Sequence, residues 1–285
     1  MRRWGGAGLG STFAALIVAL PMLLATAAAA GAAADGPEVR SHAFYVLDES
    51  GDAVLASRHG QTPMPIASIT KLMTALVVLE AGQPLDERLA ITREDVQRTA
   101  GGTSRLPAGA RLTRADMLHL ALMSSDNRTA HAVCRHYPGG LGACVQAMND
   151  KAAELGMTTA RFVEPTGLSS RNVASPADLA KLVRAASAHP VIREYSTSPA
   201  HHVFVNRERL DYRNTNLLVE TPDWQVAVQK TGYISEAGRC LVMQAVIDGR
   251  EVVIVLLNSW GKLTRIADAK RIRNWMESQR FGAPG

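Results

Sequence analysis

The apolar positions change period twice along the chain, and the changes divide it into three parts. Near the start, residues 43–47 and 53–56 are short β-type runs separated by the polar stretch Asp48-Glu49-Ser50-Gly51-Asp52, which predicts a hairpin. After Pro63, the segment Pro65-Ile66-Ala67-Ser68-Ile69-Thr70-Lys71 runs into the largely apolar 72–79 and stops at Gly82. That pattern predicts a buried helix with a glycine stop and Ser68 in its first turn.

Thr92-x-x-Asp95 and Thr113-x-x-Asp116 each have the form of a capping box, the second opening the apolar 117–123 and leading to Ser125-Asp126-Asn127. Helical patterning continues through Cys144 to Leu155 and stops at Gly156. Another helix opens with Ser175 as cap and Pro176 in its first turn, and runs to His189-Pro190. From about 201 the period shortens. Residues 202–205, 225–228, 240–247 and 251–258 read as strands, the last two joined by an Asp248-Gly249 turn. A closing helix carries Ile266, Ala269, Ile272, Trp275 and Met276 on one face. Its basic residues would suit a membrane surface. The apolar face fits better against a sheet. The expected fold is α+β: an antiparallel sheet built from both chain ends (about 40–80 and 200–280), flanked by terminal helices, with a mostly helical insertion at about 81–199.

A chain of 285 residues can bury a full core in one large or two small domains. Arg2 and Arg3, the apolar 13–24 and the small residues of 25–34 form the pattern of a cleaved secretory signal, leaving 35–285 as a single mature domain. The apolar stretch is short for a lasting membrane anchor, and no cysteine lies near the cleavage region to carry a lipid. Export would place the three cysteines in an oxidising compartment. Cys134 and Cys144 flank a helix-breaking turn that a disulfide would close, whereas Cys240 reads as a small buried hydrophobe.

The formal charge of +5 falls to +3 once Arg2 and Arg3 are removed. No basic run interleaved with aromatics is present, so nucleic acid is not an expected partner; an anionic polymer such as a cell wall is compatible. No Cys-x-x-Cys or His-x-x-x-His spacing suggests a metal, no cofactor is expected, and His201-His202 reads as a solvated strand end.

Candidate chemistry begins with Ser68 and Lys71. Three residues apart on a helix, they share a face, and an amine can reach the hydroxyl. Neither is reactive at its ordinary pKa, so burial, a second cation or the helix N-terminus must lower that of Lys71. A second copy at Ser259-Trp260-Gly261-Lys262 follows a strand and carries a glycine, so it reads as a strand-to-helix turn. Downstream stand Ser125-Asp126-Asn127 and Lys230-Thr231-Gly232; Ser-x-Asn recurs at Ser170-Arg171-Asn172.

Ser-x-x-Lys, Ser-x-Asn and Lys-Thr-Gly in this order resemble the signature of penicillin-binding proteins and class A β-lactamases. The segments Leu155-Gly156-Met157 and 161–168 are similar to low-molecular-mass D-alanyl-D-alanine peptidases. Arg213-Asn214-Thr215-Asn216 and 236–240 resemble the endopeptidase subgroup, the penicillin-binding protein 7 type. The likeness spans 42–278.

The resemblance implies that Ser68 is the acylated nucleophile, Lys71 its base and Ser125 the proton carrier to the departing amine. It implies that Asn127, Lys230, Thr231 and Gly232 bind the peptide, and that the N–H groups of Ser68 and Tyr233 form the oxyanion hole. It further implies periplasmic action on peptidoglycan cross-links, with β-lactams as covalent inhibitors. Carboxypeptidases of the family often continue into a β-rich domain and a membrane tail. This sequence ends at Gly285 after the terminal helix, which favours endopeptidase over carboxypeptidase. A class A β-lactamase would want Glu-x-x-x-Asn, and Glu164-Pro165-Thr166-Gly167-Leu168 lacks the asparagine. A catalytically silent wall-binding protein is the remaining alternative.

Overall fold

In the computed structural model, which describes residue 1 and residues 36–279, the chain opens with the hairpin of β1 (Ala43–Asp48) and β2 (Ala53–Arg58). Apart from Met1, the signal expected at 1–34 lies outside the described residues. A two-residue β3 (Met64–Pro65) leads into a 3-10 turn, Ala67–Ile69, and only then into α1 (Thr70–Glu80). Ser68 therefore sits in a tight turn ahead of the helix, one step earlier than its sequence pattern suggests.

The insertion comprises β4 (Arg88–Ala90), α2 (Arg93–Arg98), β5 (Arg111–Thr113), α3 (Arg114–Met123), α4 (Asn127–Arg135) and α5 (Gly140–Glu154). Then follow β6 (Val173–Ala174), α6 (Pro176–Ser187) and α7 (Pro190–Thr197). The three expected caps are present: Thr92 accepts from the Asp95 N–H in a full capping box, Thr113 from that of Asp116, and Ser175 from that of Asp178. Each satisfies an N–H that the helix itself cannot. Beyond Pro190 the chain starts a new helix, because proline is well suited to a first turn.

A separate hairpin, β7 (Ala200–Val205) with β8 (Glu208–Arg213), follows; the strand expected at 202–205 belongs to it and not to the main sheet. Strands β9 (Gln225–Ile234), β10 (Gly238–Ile247) and β11 (Arg250–Ser259) and the helix α8 (Thr264–Gln279) close the fold. The main sheet is antiparallel in the order β2-β1-β11-β10-β9, joining both ends of the described chain and leaving β9 on an edge.

Alternation along the strands sends side chains to opposite faces. Val228, Cys240, Val242, Val253, Val255 and Leu257 join one core with α1 and the other insertion helices; Leu241, Met243, Val252, Ile254 and Leu256 join a second with Ala269, Ile272 and Met276 of α8. The terminal helix is thus packed on the sheet, as its apolar face demands. Among the described residues, no helix is long and apolar enough to cross a membrane.

Cys134 on α4 and Cys144 on α5 are bridged across the turn between their helices, with Cα atoms 5.5 Å apart. Cys240 is buried and its thiol is pushed up to about 11 by desolvation, which leaves it inert as a nucleophile. Replacing both bridged cysteines by serine should lower the unfolding free energy by about 2–3 kcal/mol. Denaturant titration reads this as a lower midpoint, and an unchanged midpoint would mean that the bridge contributes nothing.

Candidate active site

Helix α1 has no wet side over its first two and a half turns: every residue from Thr70 through Val78 is buried. Lys71 is carried inside with its neighbours and is 1% exposed. Its Nζ lies 2.9 Å from Ser68 Oγ, and donates to Asn127 Oδ1 at 2.7 Å and to the Thr166 carbonyl oxygen at 2.6 Å. Desolvation lowers its pKa to about 7, against the opposing pull of the Glu164 and Asp126 carboxylates.

This geometry defines what the amine can do. A neutral amine has two N–H bonds and one lone pair. With Asn127 and Thr166 taking the two hydrogens, the lone pair is left for the Ser68 hydroxyl proton. Asn127 therefore turns its oxygen toward the amine. Its Nδ2 is packed against Gly102, where an added Cβ would come within 2.2 Å.

The Ser68 backbone is held from two sides. A Cβ on Gly167 would lie 1.9 Å from the Ala67 carbonyl oxygen, and one on Gly232 would lie 3.0 Å from Ser68 N. Only glycine lets both segments approach so closely. Ala67 itself takes a left-handed conformation, φ 48°, and so does Ser125, φ 63°. Such conformations in residues with side chains persist where surrounding structure enforces them.

The loop carrying Thr166 and Gly167 is fixed in turn by Glu164. Its carboxylate accepts from the N–H groups of Thr166, Gly167 and Ser169, from the Thr166 hydroxyl and from Asn172 Nδ2. Asn172 also reaches Thr70, and Thr74 donates to the Pro165 carbonyl oxygen at 2.8 Å. The second Ser-x-Asn triplet is thus a clamp beneath the loop. The second Ser-x-x-Lys is also structural, with Ser259 bonded to Ser41 at 2.6 Å and Lys262 exposed.

Lys230 is fully buried on β9, and its amine donates to the Thr231 carbonyl oxygen at 2.9 Å. Burial, then Lys71 and Arg265 close by, hold its pKa well below the ordinary lysine value. The Thr231 hydroxyl meets that of Thr215 at 2.6 Å, while Thr215 N–H donates to the Met123 carbonyl oxygen at 3.1 Å. Thr215 thereby couples the Lys-Thr-Gly strand to the turn bearing Ser125.

A cleft of about 630 Å³ is bordered by Ser68, Ser125, Asn127, Thr231, Gly232 and Tyr233, and also by Arg265. Arg265 donates to the Gly232 carbonyl oxygen at 3.3 Å. The expected residues from three separated motifs therefore meet in one place, with Lys71 and Lys230 buried behind the cleft.

Thr166, Thr215 and Arg265 were not singled out by sequence reasoning. Thr166 acts through its backbone, and Arg265 looked like one basic residue among several on the last helix. The histidine expectation is corrected: His201 bonds Asp116 at 2.9 Å and stacks on His119 at 4.0 Å between ring centroids, so it is packed and not merely solvated.

Residues 29–261 match the sequence profile of peptidase family S11, D-alanyl-D-alanine carboxypeptidase. The chain belongs to this family. It is 43% identical over 268 residues to a D-alanyl-D-alanine endopeptidase of Escherichia coli K12, covering 93% of this chain and 86% of the relative. A D-alanyl-D-alanine endopeptidase of Pseudomonas aeruginosa is 45% identical over 243 residues, 85% of this chain and 78% of the relative. In structure the chain is similar to the Streptomyces K15 DD-transpeptidase, with TM-score 0.80 and 24% identity over 86% of this chain and 100% of that one. At that identity the likeness carries the fold.

Two outcomes follow from the geometry. The rate of acylation by a fluorescent penicillin should rise with pH through a midpoint of about 7, because only the unprotonated Lys71 can accept the serine proton. A flat profile across that range would remove Lys71 as the base. Gly167→Ala should slow acylation by about 100-fold or more, since the new Cβ must displace the turn that carries Ser68; stopped-flow labelling at the wild-type rate would show that the turn tolerates the shift.

Proposed function

We propose that the protein is a serine D,D-endopeptidase of the bacterial cell wall, hydrolysing D-alanyl cross-links of peptidoglycan through an acyl-enzyme on Ser68. The observation that carries the chemistry is the Lys71 amine within hydrogen-bond distance of Ser68 Oγ, with its other directions occupied by Asn127 and Thr166. The choice of endopeptidase rests on the two relatives of that name.

Lys71 takes the Ser68 proton as Oγ attacks the D-alanine carbonyl carbon. The resulting oxyanion lies between the N–H groups of Ser68 and Tyr233, a reading supported by the contact of β9 at Gly232 with the Ser68 backbone. Losing one such donor typically raises a barrier by about 2.7–4 kcal/mol. The proton passes through Ser125 to the leaving nitrogen, the C–N bond breaks, and water then cleaves the Ser68 ester, with Lys71 taking a proton from the water and returning it to the departing Ser68 Oγ. Arg265 and Lys230 supply positive potential for the substrate carboxylate, Thr231 a hydroxyl donor, and the free edge of β9 a backbone ladder for the extended peptide.

Residues 35–285 are read as one catalytic domain, released into the periplasm after removal of 1–34. The charge and apolar pattern at 2–34 supports this, as does the Cys134–Cys144 bridge, which needs an oxidising compartment. β-Lactams are covalent inhibitors of the same serine.

The carboxypeptidase alternative is kept by the description of the family itself. Cross-linked muropeptide dimers separate the two: conversion to monomers supports the endopeptidase, and release of free D-alanine alone supports the carboxypeptidase. Ser68→Ala should abolish both activities and all labelling by fluorescent penicillin. Label retained on that variant would place the nucleophile elsewhere.

A further inference from the structure

Trp260 is 87% exposed, in a fold whose Trp224 is 7% exposed. Its indole makes no ring stack, cation contact or hydrogen bond with the described residues. Leu263 in the same loop is 60% exposed, and Tyr233 at the cleft rim is 55% exposed. Isolated exposed apolar residues need no explanation, whereas a group of them beside a binding cleft marks a contact surface.

The sheet register places this group. Tyr233 on β9 is paired with Arg239 on β10, and Arg239 is paired with Ser259 on β11, the residue before Trp260. Two strand spacings put Ser259 about 10 Å from Tyr233. The loop then enters α8, whose Arg265 lines the cleft and bonds Gly232. Trp260 and Leu263 thus continue the cleft wall outward along the end of the sheet. Arg239, its guanidinium 4.6 Å above the Tyr233 ring, and the exposed Lys262 provide hydrogen-bond donors beside the apolar surface.

We propose that Trp260, with Leu263, is a saccharide-stacking platform that holds the glycan strand from which the peptide in the Ser68 cleft extends. The proposal rests on the peptidoglycan reading above and adds a subsite to it. An indole face presents a flat apolar surface with an N–H at its edge. A pyranose ring has the complementary form, with an apolar C–H face and a hydroxyl rim. The span also fits. About three extended residues cover the 10 Å between the rim and the platform, so a short stem peptide can lie in the cleft while its sugar rests on Trp260.

The test uses the full protein and wall glycan chains stripped of peptide. Isothermal titration calorimetry should give saturable binding, weakened about tenfold in Trp260→Ala and largely kept in Trp260→Phe, a loss typical of one anchoring aromatic ring. Trp260→Ala should label with penicillin and cleave soluble muropeptide dimers as wild type does, yet digest intact sacculi about 5- to 20-fold more slowly.

Digestion of sacculi by Trp260→Ala at the wild-type rate, or glycan binding unaltered by the substitution, overturns the proposal. So does a finding that the substitution abolishes self-association or vesicle binding while leaving glycan binding intact. Failure of the wild-type protein on both dimers and penicillin sinks the enzymatic reading instead, and the glycan titration separates the two.

Discussion

A lysine amine sealed beside a serine hydroxyl is the constraint on which the rest of this structure depends. Burying an ammonium ion without a counter-charge costs several kcal/mol, and the fold avoids that cost by lowering the proton affinity of Lys71 toward neutrality. The surroundings of the amine are neutral acceptors, an amide oxygen and a backbone carbonyl, with the carboxylates of Glu164 and Asp126 acting only at a distance. A carboxylate in direct contact would have fixed the proton on Lys71 and removed the base. Lys230, equally buried, has its own pKa held well below the ordinary lysine value by desolvation and by Lys71 and Arg265. The burial of helix α1 on all sides from Thr70 to Val78 is therefore part of the chemistry, since a helix with one wet face would have solvated the amine.

The same amine would be useless if the serine could move, and its immobility comes from parts of the chain far apart in sequence. Gly167 presses on the Ala67 carbonyl from the helical insertion, while Gly232 presses on Ser68 N from the edge of the sheet. The strand bearing Gly232 occupies that edge because both chain ends have already formed the sheet, with β1 paired to β11. Both layers are needed to hold Ala67 in its left-handed conformation. The strain is local, and Ala67 is packed within the core that lies on the α1 side of the sheet.

Features of the sequence that depend on side-chain type were legible, and features that depend on backbone geometry were not. The caps at Thr92, Thr113 and Ser175 could be read because a hydroxyl placed before a helix satisfies an exposed N–H. Lys230 and Thr231 could be placed on a strand, and Cys134 beside Cys144, because turn residues lie where the chain reverses. The acceptor supplied by Thr166 had no such signal, since any residue has a carbonyl. Thr215 lay within a segment noticed for its resemblance, but its hydroxyl contact exists only because the β7–β8 hairpin delivers it to β9. That hairpin was half seen: the run at 202–205 is apolar enough to read as a strand, while in Glu208–Arg213 only Leu210 and Tyr212 alternate among charged residues. Asn127 was found by type, but the contact of its oxygen with Lys71 was not. An amide offers an oxygen and a nitrogen, and only the position of Lys71 decides which is used.

Glu164 shows how position overrules chemical type. A glutamate four residues before an asparagine would suggest a carboxylate that activates water against an acyl-serine, and this chain lacks the asparagine. The structure supplies a stronger reason. The Glu164 oxygens are engaged by Thr166, Gly167, Ser169 and Asn172, and the residue lines a different hollow from the one containing Ser68. Its carboxylate shapes the loop that gives Lys71 an acceptor and does not reach the ester. On the proposed mechanism the burden of both half-reactions falls on one amine, which must accept the serine proton and later that of the incoming water. Such an enzyme turns over substrates whose leaving amine departs and clears the site for water. An inhibitor whose amine stays tethered to the acyl group keeps that place filled, which is why the proposed mechanism expects a persistent β-lactam adduct on Ser68.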